Sequence, residues 1–443
     1  MIRIAHSALL GHEPALEAPE PLEKAPVDFL IWDCQGEATA VRLERLRRED
    51  PSWGYAEEFP ELIERSGAQL RQRGVRVLSA AGGANPLACA RDLRRRVPEL
   101  TVAAVMGGDV TARLEEFAAR GHSLAHVETG AAIDRIRDRI LRASVELDAG
   151  GFEQALGAGA QVVITSWPAG PALALAAATF RFGWRPPDWN RFAAGAIAGH
   201  LLAGGARLVG ATCAGRQTLF GLHEAGCPVV ELFEDGCFEL APLAGTAGRI
   251  DAHAVKQQLL CGIGDPRAFE TPDCTADLTH LAIEELAAGR VRVTGARGRA
   301  PAGSTRLWIA YQAGWKAQGA LLYCWPDAFE KARAADCFFR RRLERLGLSF
   351  EETHSEYLGG NACLGPAAPP VEDYPEVELR IAVRTRDREA AQRSARELAE
   401  LARIGPPFAA SFGDRPACVE EVIGFWPTLV SRSEIQAKVE VVA

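Results

Sequence analysis

Lysine is nearly missing from this chain. Of 443 residues, 50 are basic, and only Lys24, Lys256, Lys316, Lys331 and Lys438 are lysine, which leaves 45 arginines. So few lysines make a Schiff-base nucleophile a poor candidate. Positive charge is not in excess either. The net charge of -8 is the reverse of the basic footprint expected of a nucleic-acid-binding protein. The stretch most like a membrane span, residues 162–180, is broken by Pro168, Gly170 and Pro171. It reads as strand, turn and helix, and no membrane partner is expected. The 11 cysteines contain no CxxC pair. Their odd number, and a start without the apolar core of a signal peptide, predict reduced thiols in a cytoplasmic protein. There is no Gly-x-Ser-x-Gly elbow and no phosphate loop with its Lys.

What is present is ordinary globular material. Hydrophobic residues make up 48% and charged residues 24%. The length suits roughly two to four domains at about 100–200 residues each. A core of that size needs no disulfide or metal staple. The arginine excess has two readings: codon bias in a GC-rich genome, or recognition of anions by guanidinium forks.

Segments 27–32, 74–80, 101–105 and 162–165 are short apolar runs, and each is followed by a polar or glycine-rich loop and a helical pattern. That alternation predicts an α/β fold, a mostly parallel sheet with helices on both faces in the N-terminal half. Helical patterns fall at 55–73, 87–96, 111–119 and 192–206. The middle has strands at 228–233, 237–240, 291–293, 305–311 and 315–324 with few helices between them, an α+β segment. Helices are expected near 251–261 and 327–346. After the Pro/Ala-rich linker 363–370 come a strand (376–384), a helix (388–402) and two further strands (418–424 and 439–442). These read as a small ferredoxin-like α+β domain. The expected domains are 1–225, a Rossmann-like α/β domain, 226–366, packed on it, and 371–443.

Ligands of open α/β sheets bind beyond the carboxyl ends of the strands. The candidate residues gather there. Gly82-Gly83-Ala84-Asn85-Pro86 joins a strand to a helix. Its glycines let a ligand approach the backbone, or they only shape a tight turn. Asn85 suits a helix cap with Pro86 at the first position. Asp33 and Glu37 follow the first apolar run. They read as an acid–base pair, as oxygen ligands for a divalent cation, or as a helix cap with a solvated neighbour. Asp109, after Gly107-Gly108, completes that cluster or caps a helix. Cys34 beside them reads as packing. His200 sits in an apolar helical stretch, as a core residue or a catalyst. Asp265 and Arg267 form a turn, or Arg267 joins Arg297 and Arg299 in binding a carboxylate or phosphate. His122 and His126 lack an HExxH pattern, and no metal site is expected.

Several of these segments resemble the acyclic terpene utilisation (AtuA-type) family. They are 27–33 with Glu37 and Thr39, Ala81-Gly82-Gly83-Ala84-Asn85-Pro86, Ala198-Gly199-His200-Leu201-Leu202, 255–260 running into Ile263-Gly264-Asp265-Pro266-Arg267-Ala268, and 291–299. Trp426-Pro427-Thr428-Leu429-Val430 is similar to part of the family's C-terminal module. The resemblance implies an enzyme acting on a branched, terpenoid-like acyl-CoA or related carboxylic acid, by lyase or hydratase chemistry. For such a reaction Asp33, Glu37, Asp109 and His200 are the candidates for acid and base work. Gly82, Gly83, Asn85, Thr165, Trp167, Asp265, Arg267 and Arg297 are the candidate substrate contacts.

Two departures stand out. The family's GxGF-x-GD stretch is replaced here by His6-Ser7-Ala8-Leu9-Leu10-Gly11-His12. Its TGR-VAD loop reads Thr165-Ser166-Trp167-Pro168-Ala169-Gly170, so Trp167 replaces an Arg and Gly170 an Asp. The loop has lost a charge pair. This member therefore handles a less anionic ligand, serves another pathway, or is a non-catalytic partner subunit. The cofactor is left open, with a divalent cation at Asp33, Glu37 and Asp109 as one reading. A homo-oligomer, or a complex with a co-encoded protein, is expected.

Overall fold

Adjacent residues of the first strands are both apolar, and that pattern demands a sheet covered on two sides. The computed structural model describes the chain except residues 9–21, 24, 34–35, 167, 211–224, 288, 361, 369–372, 408, 412–416 and 443, and the side chains of residues 8, 33, 37, 38, 287 and 411. In chain order its first part comprises β1 (Ile2–Ala8), β2 (Phe29–Asp33), α1 (Glu37–Glu49), α2 (Glu58–Arg73), β3 (Arg76–Ser79) and α3 (Pro86–Arg96). Then come β4 (Val102–Met106), α4 (Leu114–Ala119), β5 (Ile140–Val145), α5 (Ala149–Gly157), β6 (Val162–Thr165), α6 (Ala172–Phe182) and α7 (Trp189–Leu202). The apolar stretch around 162–180 is thus a strand, a turn and a helix, as its Pro and Gly predict.

The alternation along each strand decides the layers. Phe29, Ile31, Ala103 and Val105 point into a core shared with Phe152, Leu173, Ile197 and Leu201. Leu30, Trp32, Val102 and Ala104 point the other way, against Phe59, Ile63, Leu70 and Leu93. Trp32 meets Phe59 edge-on, with ring centroids 6.3 Å apart. Burying such an aromatic stabilises the fold by up to about 3 kcal/mol. Helices therefore cover both faces of the sheet.

The middle of the chain adds β7 (Pro228–Leu232), β8 (Phe238–Pro242), α8 (Ala252–Leu259), β9 (Phe269–Glu270), β10 (Thr275–Asp277), β11 (Ala282–Ala287), β12 (Arg290–Thr294) and β13 (Arg297–Arg299). The rest is β14 (Ser304–Cys324), α9 (Ala328–Arg345), β15 (Glu352–Leu358), β16 (Glu376–Thr385), α10 (Arg388–Ile404), β17 (Ala409–Ser411), β18 (Ala417–Ser431) and β19 (Lys438–Val442).

The large sheet is mixed, and this corrects the expectation of a mostly parallel one. Its ten strands run β11-β12-β8-β7-β1-β2-β3-β6-β4-β19. Four pairings are parallel, those of β1 with β2, β2 with β3, β3 with β6 and β6 with β4. The other five are antiparallel. The reason is the length of the connections. Short hairpins join β7 to β8 and β11 to β12, and only a long crossover lets neighbours run parallel. The parallel block is thus the centre of a wider sheet.

The chain forms two compact units. One comprises residues 1–133, 142–309 and 427–443, and it holds the large sheet. The other comprises 134–141 and 310–426. Within the second, β14, β15, β16 and β17 form a sheet in the order β15-β16-β14-β17, with Leu321, Tyr323, Leu379 and Ile381 packed against Phe339 and Leu398. The two strands expected at 305–311 and 315–324 are one. Gly314, at φ 131°, carries the strand through, and a Cβ there would stand 2.6 Å from the Thr385 carbonyl. Among the described residues no helix is long and apolar enough to cross a membrane.

Candidate functional site

Parallel strands bring their following loops to one edge. The loops after β3, β4 and β6 there surround a cavity of about 300 Å³ lined by Ala84, Asn85, Leu87, Gly107, Asp109, Arg142 and Ser166. Glycine makes the close approach possible. A Cβ on Gly82 would lie 2.5 Å from the Thr165 carbonyl oxygen. One on Gly108 would lie 2.7 Å from Ser166 Oγ and 3.0 Å from the Val145 carbonyl oxygen.

Arg142 is the charged centre of this edge, and it belongs to none of the motifs that point to a site. Its side chain is 8% exposed. Nε donates to Ser144 Oγ at 2.9 Å, and Nη1 donates to the Ala84 carbonyl at 2.9 Å. Nη1 also faces Glu44 Oε2 and Asp109 Oδ2, each at 3.3 Å. Arg47 Nη1 adds a second guanidinium 3.1 Å from Asp109 Oδ2. Glu44 and Arg47 share one face of α1 at helical spacing. A buried ion cluster of this kind persists only where several partners divide the desolvation cost.

The two carboxylates respond in opposite ways. Burial is the largest influence on Glu44 and raises its pKa, against the pull of Arg142 and Arg47. Burial also opposes the charge of Asp109. There Arg142, the Thr111 hydroxyl and amide, and Arg47 outweigh it, and the carboxyl is held below its usual range. Asp109 serves two purposes. Oδ1 accepts from Thr111 N at 3.1 Å and Thr111 Oγ1 at 2.6 Å, closing the local turn. Oδ2 faces the arginines. The edge thus presents an ionised carboxylate beside a buried guanidinium.

The other candidates divide between this edge and distant places. Asn85 lines the cavity, and its Oδ1 accepts from Ala88 N at 3.4 Å as the cap of α3. Its Nδ2 donates to the Pro51 and Trp53 carbonyls at 2.9 and 3.0 Å. The Gly83 amide donates to Ala80 O within the turn at 3.0 Å. Thr165 is buried, and its hydroxyl donates to Val105 O at 3.1 Å. Asp33 closes β2 and Glu37 opens α1; their side chains, Cys34 and Trp167 lie outside the described residues.

His200 is on α7. Its Nε2 lies 2.9 Å from the Gln258 carbonyl, and its ring is 5.1 Å from that of Phe269. Burial first of all lowers its pKa, and none of these partners lines the 300 Å³ cavity. Asp265 Oδ1 accepts from Arg267 N at 2.9 Å in a tight turn. Arg297 lies in β13 opposite Asp277, exposed to solvent. Among the described residues no three His, Cys, Asp or Glu side chains are grouped to hold a metal. Asp109 Oδ2 already faces two cations, Arg47 and Arg142.

The glycine at 170 is explained by a neighbour. Gly170 has φ 49°, and a Cβ there would fall 1.8 Å from Glu146 Oε1. The loop lacks an acid at 170, yet a carboxylate from residue 146 fills that space. Glu146 also lines a second cavity of about 360 Å³ with Gly264, Asp265 and Phe269. Beside it in charge, Asp273 is buried with Oδ1 accepting from Ala149 N at 2.9 Å. Burial pushes the Asp273 carboxyl up to about 7. Arg142 had one sequence signal, an arginine inside an otherwise uncharged run, Ile140-Leu141-Arg142-Ala143-Ser144-Val145. Glu146 had none.

A family model described as acyclic terpene utilisation family protein AtuA matches residues 2–441, nearly the whole chain. No curated protein and no solved structure matches it.

Proposed function

The chain belongs to the acyclic terpene utilisation family, and from that premise we propose that it is a lyase or hydratase acting on a branched, terpenoid-like acyl-CoA or related carboxylic acid. One observation carries the reading: buried Arg142 shares a cavity wall with ionised Asp109 at the carboxyl edge of the parallel strands. Both reactions need the same two parts. A base takes a proton from an oxygen at the β-carbon, and a cationic donor holds the enolate oxygen that forms at the thioester.

In the hydratase sense, water loses its proton to the base as its oxygen bonds to the β-carbon. The electron pair moves to the enolate and is then quenched by a proton at the α-carbon. In the lyase sense, the β-hydroxyl loses its proton and the bond between the α- and β-carbons breaks. Its electron pair again passes to the enolate. We assign Asp109 as the base, because it is the carboxylate that lines the cavity beside Arg142. We assign Arg142 to the enolate oxygen. Among the described residues its bonds run through Nε and Nη1, which leaves the Nη2 donors for a ligand.

We read the second unit as ferredoxin-like. The chain order β14, α9, β15, β16, α10, β17 and the antiparallel sheet order support this.

The test is turnover of a 3-methyl-branched 3-hydroxyacyl-CoA and of the matching enoyl-CoA by the full chain, followed by mass spectrometry. Asp109→Asn is expected to lower kcat by roughly 10²–10⁴-fold, the usual contribution of a general base. Equal turnover in Asp109→Asn would remove Asp109 from the mechanism. No turnover of either thioester, with binding intact, would favour a non-catalytic subunit.

A further inference from the structure

A second space beside the first turn of α3 is unused by the chemistry above. It is a groove of about 730 Å³, walled on one side by Glu57 and Glu61 at the start of α2 and on the other by Arg91, Arg95 and Arg96 of α3. Trp53 and Tyr55 line it as well, stacked with ring centroids 6.1 Å apart and planes within 15°. Trp53 remains 38% exposed. Asn85 and Leu87 line both this groove and the 300 Å³ cavity. Both spaces therefore border the first turn of α3.

The groove's chemistry is mixed in a specific way. The wall from α3 carries guanidinium groups at a spacing of four residues. Arg91 reaches Glu440 only at 3.7 Å with its side chain 65% exposed, and Arg95 is 79% exposed. Asp92 is buried between Arg95, Arg96 and the Tyr55 hydroxyl, so it orients the arginines. Guanidinium forks suit phosphates. The opposite wall offers carboxylates, which accept from ribose hydroxyls and from an exocyclic amine. Between them an exposed indole gives a face on which a base stacks. Phosphate donors, hydroxyl acceptors and a stacking platform in one groove describe a nucleotide.

We propose that this groove holds the nucleotide end of a coenzyme A thioester whose acyl end occupies the 300 Å³ cavity beside Arg142. This rests on the acyl-CoA reading above. The pantetheine arm passes the start of α3, between Asn85 and Leu87. Asn85 ties that passage to the groove, since its Nδ2 holds the 51–53 turn that carries Trp53.

Calorimetric titration of the full chain with coenzyme A, with 3′,5′-ADP and with a branched acyl N-acetylcysteamine thioester tests this. The last probe has the acyl end and no nucleotide. The wild type is expected to bind all three. Trp53→Ala, and separately Arg91→Ala with Arg95→Ala, are expected to weaken coenzyme A and 3′,5′-ADP by about tenfold or more. Each is expected to weaken the truncated thioester far less. Arg142→Met is expected to give the opposite ranking. Coenzyme A bound equally well by wild type and both groove variants would overturn the proposal. So would a wild type that binds the truncated thioester but neither nucleotide probe, and the acyl-site reading would survive that result. Nucleotide binding that depends on Trp53, with no binding of the truncated thioester, would sustain the groove and sink the acyl site.

Discussion

Arg142 holds together two carboxylates that burial would otherwise set against each other. Without it, Glu44 and Asp109 would repel each other with only Arg47 between them. A third carboxyl group, Asp273, shows burial outweighing a nearby cation. Asp273 is pushed up to about 7 chiefly by burial. Asp148 and Glu146 add to the rise, while the Ala149 amide and Arg432 oppose it. A folded-state pKa above the unfolded one means that the native protein binds more protons between the two values. Stability then falls as pH rises through that window. The protein is therefore expected to lose stability between the ordinary aspartate range and about pH 7. Asp273→Asn is expected to flatten that slope while it keeps an acceptor for the Ala149 amide. Urea midpoints at pH 5 and pH 8 measure this, and an unchanged slope in the variant would contradict it. At this scale the sequence was only partly legible. Asn85 could be placed as a cap because Pro86 follows it. Arg142 could not, because its value comes from α1 and from the 82–85 turn, both distant in sequence.

Elements were read well where local signals are strong. The helix at 86–96 begins with a capping Asn and a Pro, and the helix at 58–73 ends on Gly74 at φ 68°. The strands β1, β5, β9, β10, β11, β13, β15 and β17, and the helices α1 and α5, were not foreseen. The polar residues in β1 and β5, His6, Arg142 and Ser144, are buried and hide the apolar alternation. The turn at 82–85 is the element on which the site depends most. A methyl group on Gly82 would meet the Thr165 carbonyl at 2.5 Å and Pro86 Cα at 2.6 Å, backbone on both sides. Gly82→Ala is expected to cost about 1–3 kcal/mol, the usual cost of overpacking. It should also weaken thioester binding, since the turn carries Ala84 O and Asn85. Denaturant unfolding together with a binding titration checks this. Wild-type stability in Gly82→Ala would show that the turn can give way.

For the whole molecule, the alternation of strands and helices led correctly to an α/β body but not to the extent of its sheet. Parallel strands announce themselves through intervening helices. Antiparallel strands added at an edge do not reveal which sheet they join. β19 illustrates this. Its five residues lie far from β4 in sequence, yet they pair with it residue by residue. Its approach to the site edge is close, for a Cβ on Gly107 would stand 2.3 Å from the Gln436 carbonyl. The mixed sheet gathers loops from β3, β4 and β6 into one edge, and that edge holds the cavity, the buried guanidinium and the ionised carboxylate. The most direct measurement is a crystal structure of the protein with a branched acyl-CoA. The account predicts the thioester carbonyl within hydrogen-bond distance of Arg142, beside Asp109 and Ser166. A thioester seated elsewhere, such as the cavity lined by Glu146 and Asp265, would contradict it.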